Sequence, residues 1–320
     1  MRVGNCCRPG NIVVNDSLFM QNTWDGIEVE SCFRVVPVNN VTNFTLANNT
    51  FDGNYGHGVR VNPMINMVGI MTNNTFKNHP RHTFLIDNTD DFIKEVVFRE
   101  MKVDYAVIEN DFLNNEGFYV IHVRLTQSSK QQKLAFKYNR IRHNRIKGGF
   151  PTINERTRAY GVILLSSSNV NFSRNHLENP DSRYELATHL LDKSAHMEAT
   201  RLWWGTTNYT LMSGRVFDQY NRFDLPQISY YPSLNSDHLY GEWLNDQVPP
   251  FEPQFLRDGN TIGGRLVNRF VTKPGQTYHV DRDVNIVAEE AHGELIISEG
   301  TILEVENAIG ILVQGLLQAK

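Results

Sequence analysis

Three short motifs carry side chains able to move protons: Gly56-His57-Gly58, Asn88-Thr89-Asp90 with Asp91 beside it, and Arg145-Ile146-Lys147. Cleaving a glycosidic bond takes two carboxyl groups across a groove, one to protonate the leaving oxygen and one to activate water. Asp90 and Asp91, with His57 and Lys147 alongside, form the candidate set for that chemistry. Asp87, Asp90 and Asp91 also offer carboxylates to a calcium ion, as a calcium-dependent lyase requires. They fall within one short segment, which reads more simply as a solvated loop. His79 and His82, separated by Pro80-Arg81, suggest a metal pair. No third ligand follows at a telling distance, so a surface loop is the simpler reading. The chain has no glycine-rich phosphate loop and no Gly-x-Ser-x-Gly elbow, and no cofactor or metal is expected.

The elements that would position these groups are marked by asparagine, about a tenth of the 320 residues. Asn tolerates the left-handed backbone region and bonds to nearby backbone, so a chain this rich in it turns often. One step recurs: Asn49-Thr50-Phe51-Asp52-Gly53-Asn54, Asn74-Thr75-Phe76-Lys77-Asn78, Asn110-Asp111-Phe112-Leu113-Asn114, Asn139-Arg140-Ile141-Arg142-His143-Asn144 and Asn175-His176-Leu177-Glu178-Asn179. A fainter copy spans Asn15 to Asn22. Starting at residues 49, 74, 110, 139 and 175, the copies are about 25, 36, 29 and 36 residues apart. Such steps mark a repeat architecture with loops of variable length. Short runs such as Val41 to Leu46, Met67 to Met71 and Leu134 to Tyr138 read as strands. Before Asn179 no long run has a 3.6-residue apolar period. Parallel strands without crossover helices imply an all-β solenoid. We therefore expect a right-handed parallel β-helix of the pectin-lyase-like kind, with apolar residues stacked inside and an asparagine ladder satisfying backbone groups at the bends.

The pattern changes after Pro180. Tyr184 to Ala199 suits a loop or short helix, and Trp203-Trp204-Gly205 suits a cap over the hydrophobic mouth of the solenoid. Residues 236–258, with Pro249, Pro250 and Pro253, read as a linker. Beyond it, short strands punctuated by Gly293, Gly300, Gly310 and Gly315 read as the start of a second β-helix. The expected organisation is residues 1–235 as the C-terminal part of one β-helix, a linker, and residues 259–320 as the first coils of another.

Hydrophobic residues make up 40% and charged residues 21%, with a net charge of −4, as in ordinary soluble proteins. That balance weighs against nucleic acid or an anionic membrane surface as partner. The apolar run Ala308 to Leu317 is too short to span a bilayer. The N-terminal residues lack the apolar core of a signal peptide. A cytosolic protein would look like this, and so would a piece of a longer secreted one. Cys6, Cys7 and Cys32 fit no zinc motif. Cys6 and Cys32 are about one coil apart, which leaves a disulfide and buried free thiols both open. Asn-x-Ser/Thr acceptors stand at Asn15, Asn40, Asn43, Asn48, Asn73, Asn171 and Asn208. Several overlap the asparagine step, where a structural role would bury them; one or two glycans are expected in a secretory context.

The motifs of the opening paragraph resemble those of polygalacturonase-type glycoside hydrolases, which imply cleavage of acidic glycans on a β-helix. The order differs, because Gly56-His57-Gly58 precedes Asn88-Thr89-Asp90 by about 32 residues and Asp90 serves two motifs at once. A polygalacturonase-like hydrolase or a glycan-binding module is therefore the alternative reading. A second resemblance is more specific. Arg201 through Trp203-Trp204-Gly205-Thr206-Thr207 and Tyr220-Asn221-Arg222-Phe223-Asp224 to Pro232, then Gly263-Gly264, Pro274-Gly275-Gln276-Thr277-Tyr278 and Gly300-Thr301, resembles the bark beetle (Anakonda) family. Those are large single-pass membrane proteins with β-helix ectodomains that organise junctions where three epithelial cells meet. The resemblance implies a non-catalytic extracellular structural and adhesion region at cell–cell contacts. Its implied partners are other cell-surface or junction proteins, a copy on a neighbouring cell, or glycans. Membrane attachment would come only through segments outside this sequence, which has neither the scavenger-receptor cysteine set nor the membrane span of that family.

Overall fold

The computed structural model describes residues 2–4, 10–30, 41–61, 67–87, 103–125, 132–147, 161–190, 192–244, 254–288, 292–306 and 309–320. Period-two alternation in the short apolar runs gives strands with one face in and one face out. Thr42–Ala47 and Val103–Ile108, for example, alternate between buried and more exposed positions. The strands stack into three sheets that wind around one core. One sheet has six strands and contains Asn11–Asn15, Thr42–Ala47, Met67–Thr72, Val103–Ile108, Gln132–Lys137 and Val170–Ser173. The next has six, from Leu18–Met20 through Thr50–Asp52, Thr75–Lys77, Asp111–Leu113 and Arg140–Arg142 to His176–Glu178. The last has eight, from Arg2–Gly4 to Val216–Phe217, and includes Val59–Val61, Phe84–Asp87, Ile121–Arg124 and Ile163–Leu165. We call these the long-strand, short-strand and return sheets. Neighbouring strands in all three are parallel, and the chain visits them in that order on each coil. This is a parallel β-helix, as the repeat requires.

Register places like residues above one another. Phe19, Phe51, Phe76 and Phe112 stack in one column with ring centroids 5.0, 4.8 and 4.7 Å apart. On the long-strand sheet Gly69 sits between Phe44 and Tyr105, and a Cβ there would lie 2.6 Å from the Tyr105 ring. Tyr105 is wholly buried, with its hydroxyl donating to Met67 Sδ at 3.2 Å.

Two asparagine ladders line the bends. The first joins Asn49, Asn74, Asn110, Asn139 and Asn175, each after Asn49 accepting from the backbone N–H and the side-chain amide of the rung before it at 2.9–3.0 Å. The amides also donate to carbonyls one coil away, such as Asn74 to Leu46 at 2.9 Å. The second ladder is offset by one residue from the asparagine repeat at two rungs. Its rungs are Asn54, His79, Asn115, Asn144 and Asn179, not Asn78 and Asn114. Asn78 and Asn114 instead take the left-handed conformation, with φ of 59° and 54°. Every rung of this ladder but Asn179 follows such a residue, and asparagine tolerates it. The same conformation recurs before the first ladder, at Asn48, Asn73, Glu109, Tyr138, Arg174 and Arg201, with φ from 54° to 59°. The second ladder ends on Glu185, whose carboxylate accepts from Asn179 N at 2.7 Å and from Arg215 at 2.8 Å.

Between residues 184 and 199 the chain forms two strands, Leu186–Thr188 and Met197–Glu198, rather than a helix; the first continues the return sheet. Trp203 bridges His176 in parallel, continuing the short-strand sheet, and Trp204 is buried with Met197, Leu202, Met212 and Ile228. Gly205 adopts φ of 72°. The short helix Tyr209–Ser213 follows, capped by Asn208. After residue 254 a separate set of sheets forms around Ile262, Leu266, Tyr278, Val280, Val284, Ile286 and Leu295. Its strands pair in parallel except Leu256–Arg257, which is antiparallel to Thr261–Leu266. It bonds to the earlier coils: Asp283 accepts from Phe223 N at 3.2 Å, its own N–H donates to Asn221 O at 2.8 Å, and Arg183 pairs with Asp281 at 2.6 Å.

Candidate functional site

His57 and Lys147 do not converge. His57 stands at the bend before Val59–Val61 and Lys147 three coils further on, about 14 Å along the axis at strand spacing. Each is paired where it stands. Lys147 Nζ lies 2.5 Å from Glu116. His57 Nδ1 is 3.1 Å from Asp25 Oδ1, and its Nε2 is 3.2 Å from the Tyr119 hydroxyl. Asp90, Asp91, Asn40, Cys6, Cys7 and Cys32 lie outside the described residues. Asp87 ends a strand and accepts from Arg124 Nε at 3.1 Å.

His57 belongs to a column that no sequence motif marks: Asp25, His57, His82 and Tyr119, each two residues before a strand of the return sheet. The His57 and His82 rings stack at 5.0 Å, and those of His82 and Tyr119 at 4.9 Å. Burial, then the neighbouring charges of His57 and Arg81, hold His82 down to about 4. Burial raises the Asp25 carboxyl, but the hydrogen bonds of His57 outweigh it and leave Asp25 below its ordinary value. Burial takes His122, edge-on to Tyr119, down to about 3. His82 and His122 are neutral imidazoles packed as aromatic faces. His79, expected in a surface loop, is wholly buried because it replaces an asparagine rung: its Nδ1 donates to Asn54 O at 3.1 Å and its N–H to Asn115 Oδ1. Among the described residues no group of three or more His, Cys, Asp or Glu is placed to hold a metal.

Every described glycosylation candidate is exposed: Asn15, Asn43, Asn48, Asn73, Asn171 and Asn208. The feared overlap with the ladder resolves by one residue. Asn48 and Asn73 occupy the left-handed position, and the rungs Asn49 and Asn74 fill the middle of each acceptor triplet. Asn43 donates to Asn11 Oδ1, Asn171 accepts from Ser173 Oγ, and Asn208 Oδ1 caps the helix, so none is walled in by core.

A feature that sequence reasoning missed lies outside the short-strand sheet. Residues 237–243, read as linker, run back along the column of left-handed residues as a strap. Arg174 Nη1 donates to the carbonyls of Leu239 at 3.0 Å and Gly241 at 3.3 Å. The guanidinium groups of Arg174 and Arg201 lie 5.4 and 4.4 Å from the Trp243 ring. The Tyr240 ring stacks on Tyr138 at 4.5 Å, and its hydroxyl donates to Glu109. That hydrogen bond pushes Tyr240 up to about 12. Between strap and sheet lies an open groove of about 780 Å³, floored by Thr75, Asp111, Arg140, Arg142 and His176 and rimmed by Asn73. The signal for the strap was present in Leu239-Tyr240 and Trp243, apolar residues inside a supposed linker, but their docking site is a column that only the fold assembles.

Coils of parallel strands, two internal amide ladders and a tryptophan-containing end define a parallel β-helix region. Neither a family model nor a solved structure matches the chain. Protein bark beetle of Drosophila melanogaster is 30% identical to it over 334 aligned residues, which cover 99% of this chain and 10% of that protein. This establishes the chain as a relative of the bark beetle family, spanning about a tenth of the length of the curated relative it matches. No helix among the described residues is long and apolar enough to cross a membrane.

Proposed function

We propose that this chain is a non-catalytic, extracellular structural and adhesion region of a large single-pass membrane protein that organises epithelial junctions where three cells meet. The observation that carries the reading is relationship to bark beetle across 99% of the chain. Two β-helix units, residues 1–235 and 259–320, form a stiff rod whose exposed asparagines carry N-glycans. Its partners are other junction proteins or a copy on a facing cell. The separation of His57 from Lys147 supports a scaffold over a hydrolase. Fold alone does not fix function, so the reading needs a cellular test. Deleting residues 1–320 from the full protein in an epithelial sheet should weaken the transepithelial barrier and displace the protein from three-cell corners. Normal barrier and placement would overturn the reading. Release of reducing ends from polygalacturonate by the purified chain would replace it with the hydrolase alternative. A downward gel shift of the secreted chain with an N-glycosidase checks its extracellular route.

A further inference from the structure

We propose that the groove between the short-strand sheet and the strap 237–240 binds a short, neutral oligosaccharide. Its volume of about 780 Å³ falls within the range of small-ligand sites, roughly 300–1,000 Å³. Its polar groups are unusual in being unspent. Asp111 Oδ1 is buried and has no hydrogen-bond partner. The guanidinium groups of Arg140 and Arg142 have none among the described residues, although Lys77 on the same face pairs with Asp52. The exposed Arg140 and the half-buried Arg142 and Asp111 side chains are hydrated in the open groove, and a ligand rich in hydroxyls can take the place of that water.

Asp111 and Arg140 are paired in register on adjacent strands, so their backbones are about 4.8 Å apart. That places an acceptor-only carboxylate beside a donor-only fork. A sugar hydroxyl is donor and acceptor at once, and a vicinal pair of hydroxyls answers both groups together. The charge around the groove selects among glycans. Two arginines stand against Glu109, Asp111 and Asp237, so a polysulfated or polyuronic chain would meet as much repulsion as attraction. The paired rings of Tyr138 and Tyr240 give one wall a flat aromatic edge, held by the Glu109 hydrogen bond. Asn73 at the rim adds an amide, and a glycan carried there would compete for the same floor.

The site does not depend on the junction role, and its failure would leave that role untouched. The test is a glycan array carrying neutral, sialylated and sulfated oligosaccharides, probed with the secreted chain and with its Asn73→Gln variant. Neutral hits are then titrated calorimetrically. We expect neutral oligosaccharides to bind one or both forms, and Asp111→Asn and Arg140→Gln each to weaken binding about tenfold, the worth of one charge-assisted hydrogen bond. Arg140 is exposed, so Arg140→Gln leaves the coil intact should Asp111→Asn disturb it. Binding by Asn73→Gln alone supports the site and shows the rim glycan covering it. No neutral hit with either form, hits confined to sulfated or sialylated chains, or affinity unchanged in Arg140→Gln would overturn the proposal.

Discussion

Asn73 and Asn74 are adjacent and chemically identical, yet their replacement by alanine should differ several-fold in effect. Asn74 Oδ1 accepts from Asn49 N and Nδ2, both at 3.0 Å, and its Nδ2 donates to Leu46 O and Asn110 Oδ1, both at 2.9 Å. In Asn74→Ala some of these groups keep other partners. Asn110 Oδ1 still accepts from the residue-74 backbone N–H, and the Asn49 amide still donates to Val14 and Ala47 carbonyls. The Asn49 N–H, inside the coil, loses its partner, while the Leu46 carbonyl loses one donor and keeps its place in the ladder with the neighbouring strand. A buried group left unsatisfied costs about 1–3 kcal/mol and a lost second hydrogen bond about 1, so Asn74→Ala should cost about 3 kcal/mol. Asn73 touches no rung with its side chain and only tolerates φ of 54°. Alanine there should cost about 1 kcal/mol, the left-handed penalty. Urea unfolding of both variants, made without N-glycans so that losing the Asn73 acceptor is irrelevant, measures the difference. Amide exchange at Asn49 should accelerate in Asn74→Ala alone. Two variants of equal stability would refute the ladder's role as the internal scaffold of the bends.

Gly69→Ala should destabilise by about 1–3 kcal/mol in a thermal melt, because its Cβ would press 2.6 Å from the buried Tyr105 ring; a simultaneous Tyr105→Leu change should recover much of the loss. His79 should make the fold acid-sensitive. Burial takes it from 6.5 to about 4, so between those values the unfolded chain binds the extra proton. Its contribution is complete above pH 6.5 and is lost as pH falls toward 4, about 3 kcal/mol across the full interval. His79→Asn restores the usual rung and should flatten that part of the urea midpoint against pH; an unchanged slope would rule out His79 as its source. Arg215→Ala should cost about 3–5 kcal/mol in the same unfolding assay, because it strands the buried Glu185 carboxylate at the end of the second ladder. Burial already pushes Glu185 above its ordinary value against the pull of Arg215, so Glu185→Gln in the Arg215→Ala background should regain stability at neutral pH.

Sequence alone determined the architecture. Short period-two runs, about one asparagine in ten residues and no long amphipathic segment before Asn179 leave stacked parallel coils as the way to bury the apolar positions, and the first ladder is legible at Asn49, Asn74, Asn110, Asn139 and Asn175. The stacked Phe column follows from the same register. The tertiary structure decided which member of each asparagine pair enters the coil. A left-handed residue precedes nearly every rung, and asparagine serves both positions, so Asn78 and Asn114 cannot be told from rungs by type, nor can His79 be seen as one. It also decided the fate of the chemical motifs. Residues about 30 positions apart become neighbours only when loop lengths set the coils, and that register separates His57 from Lys147 while gathering Asp25, His57, His82 and Tyr119 into one column. The groove depends on it most. Its floor comes from successive coils and its wall from a strap far along the chain, joined through Arg174, Tyr138 and Glu109, whose shared property is the backbone conformation of one bend.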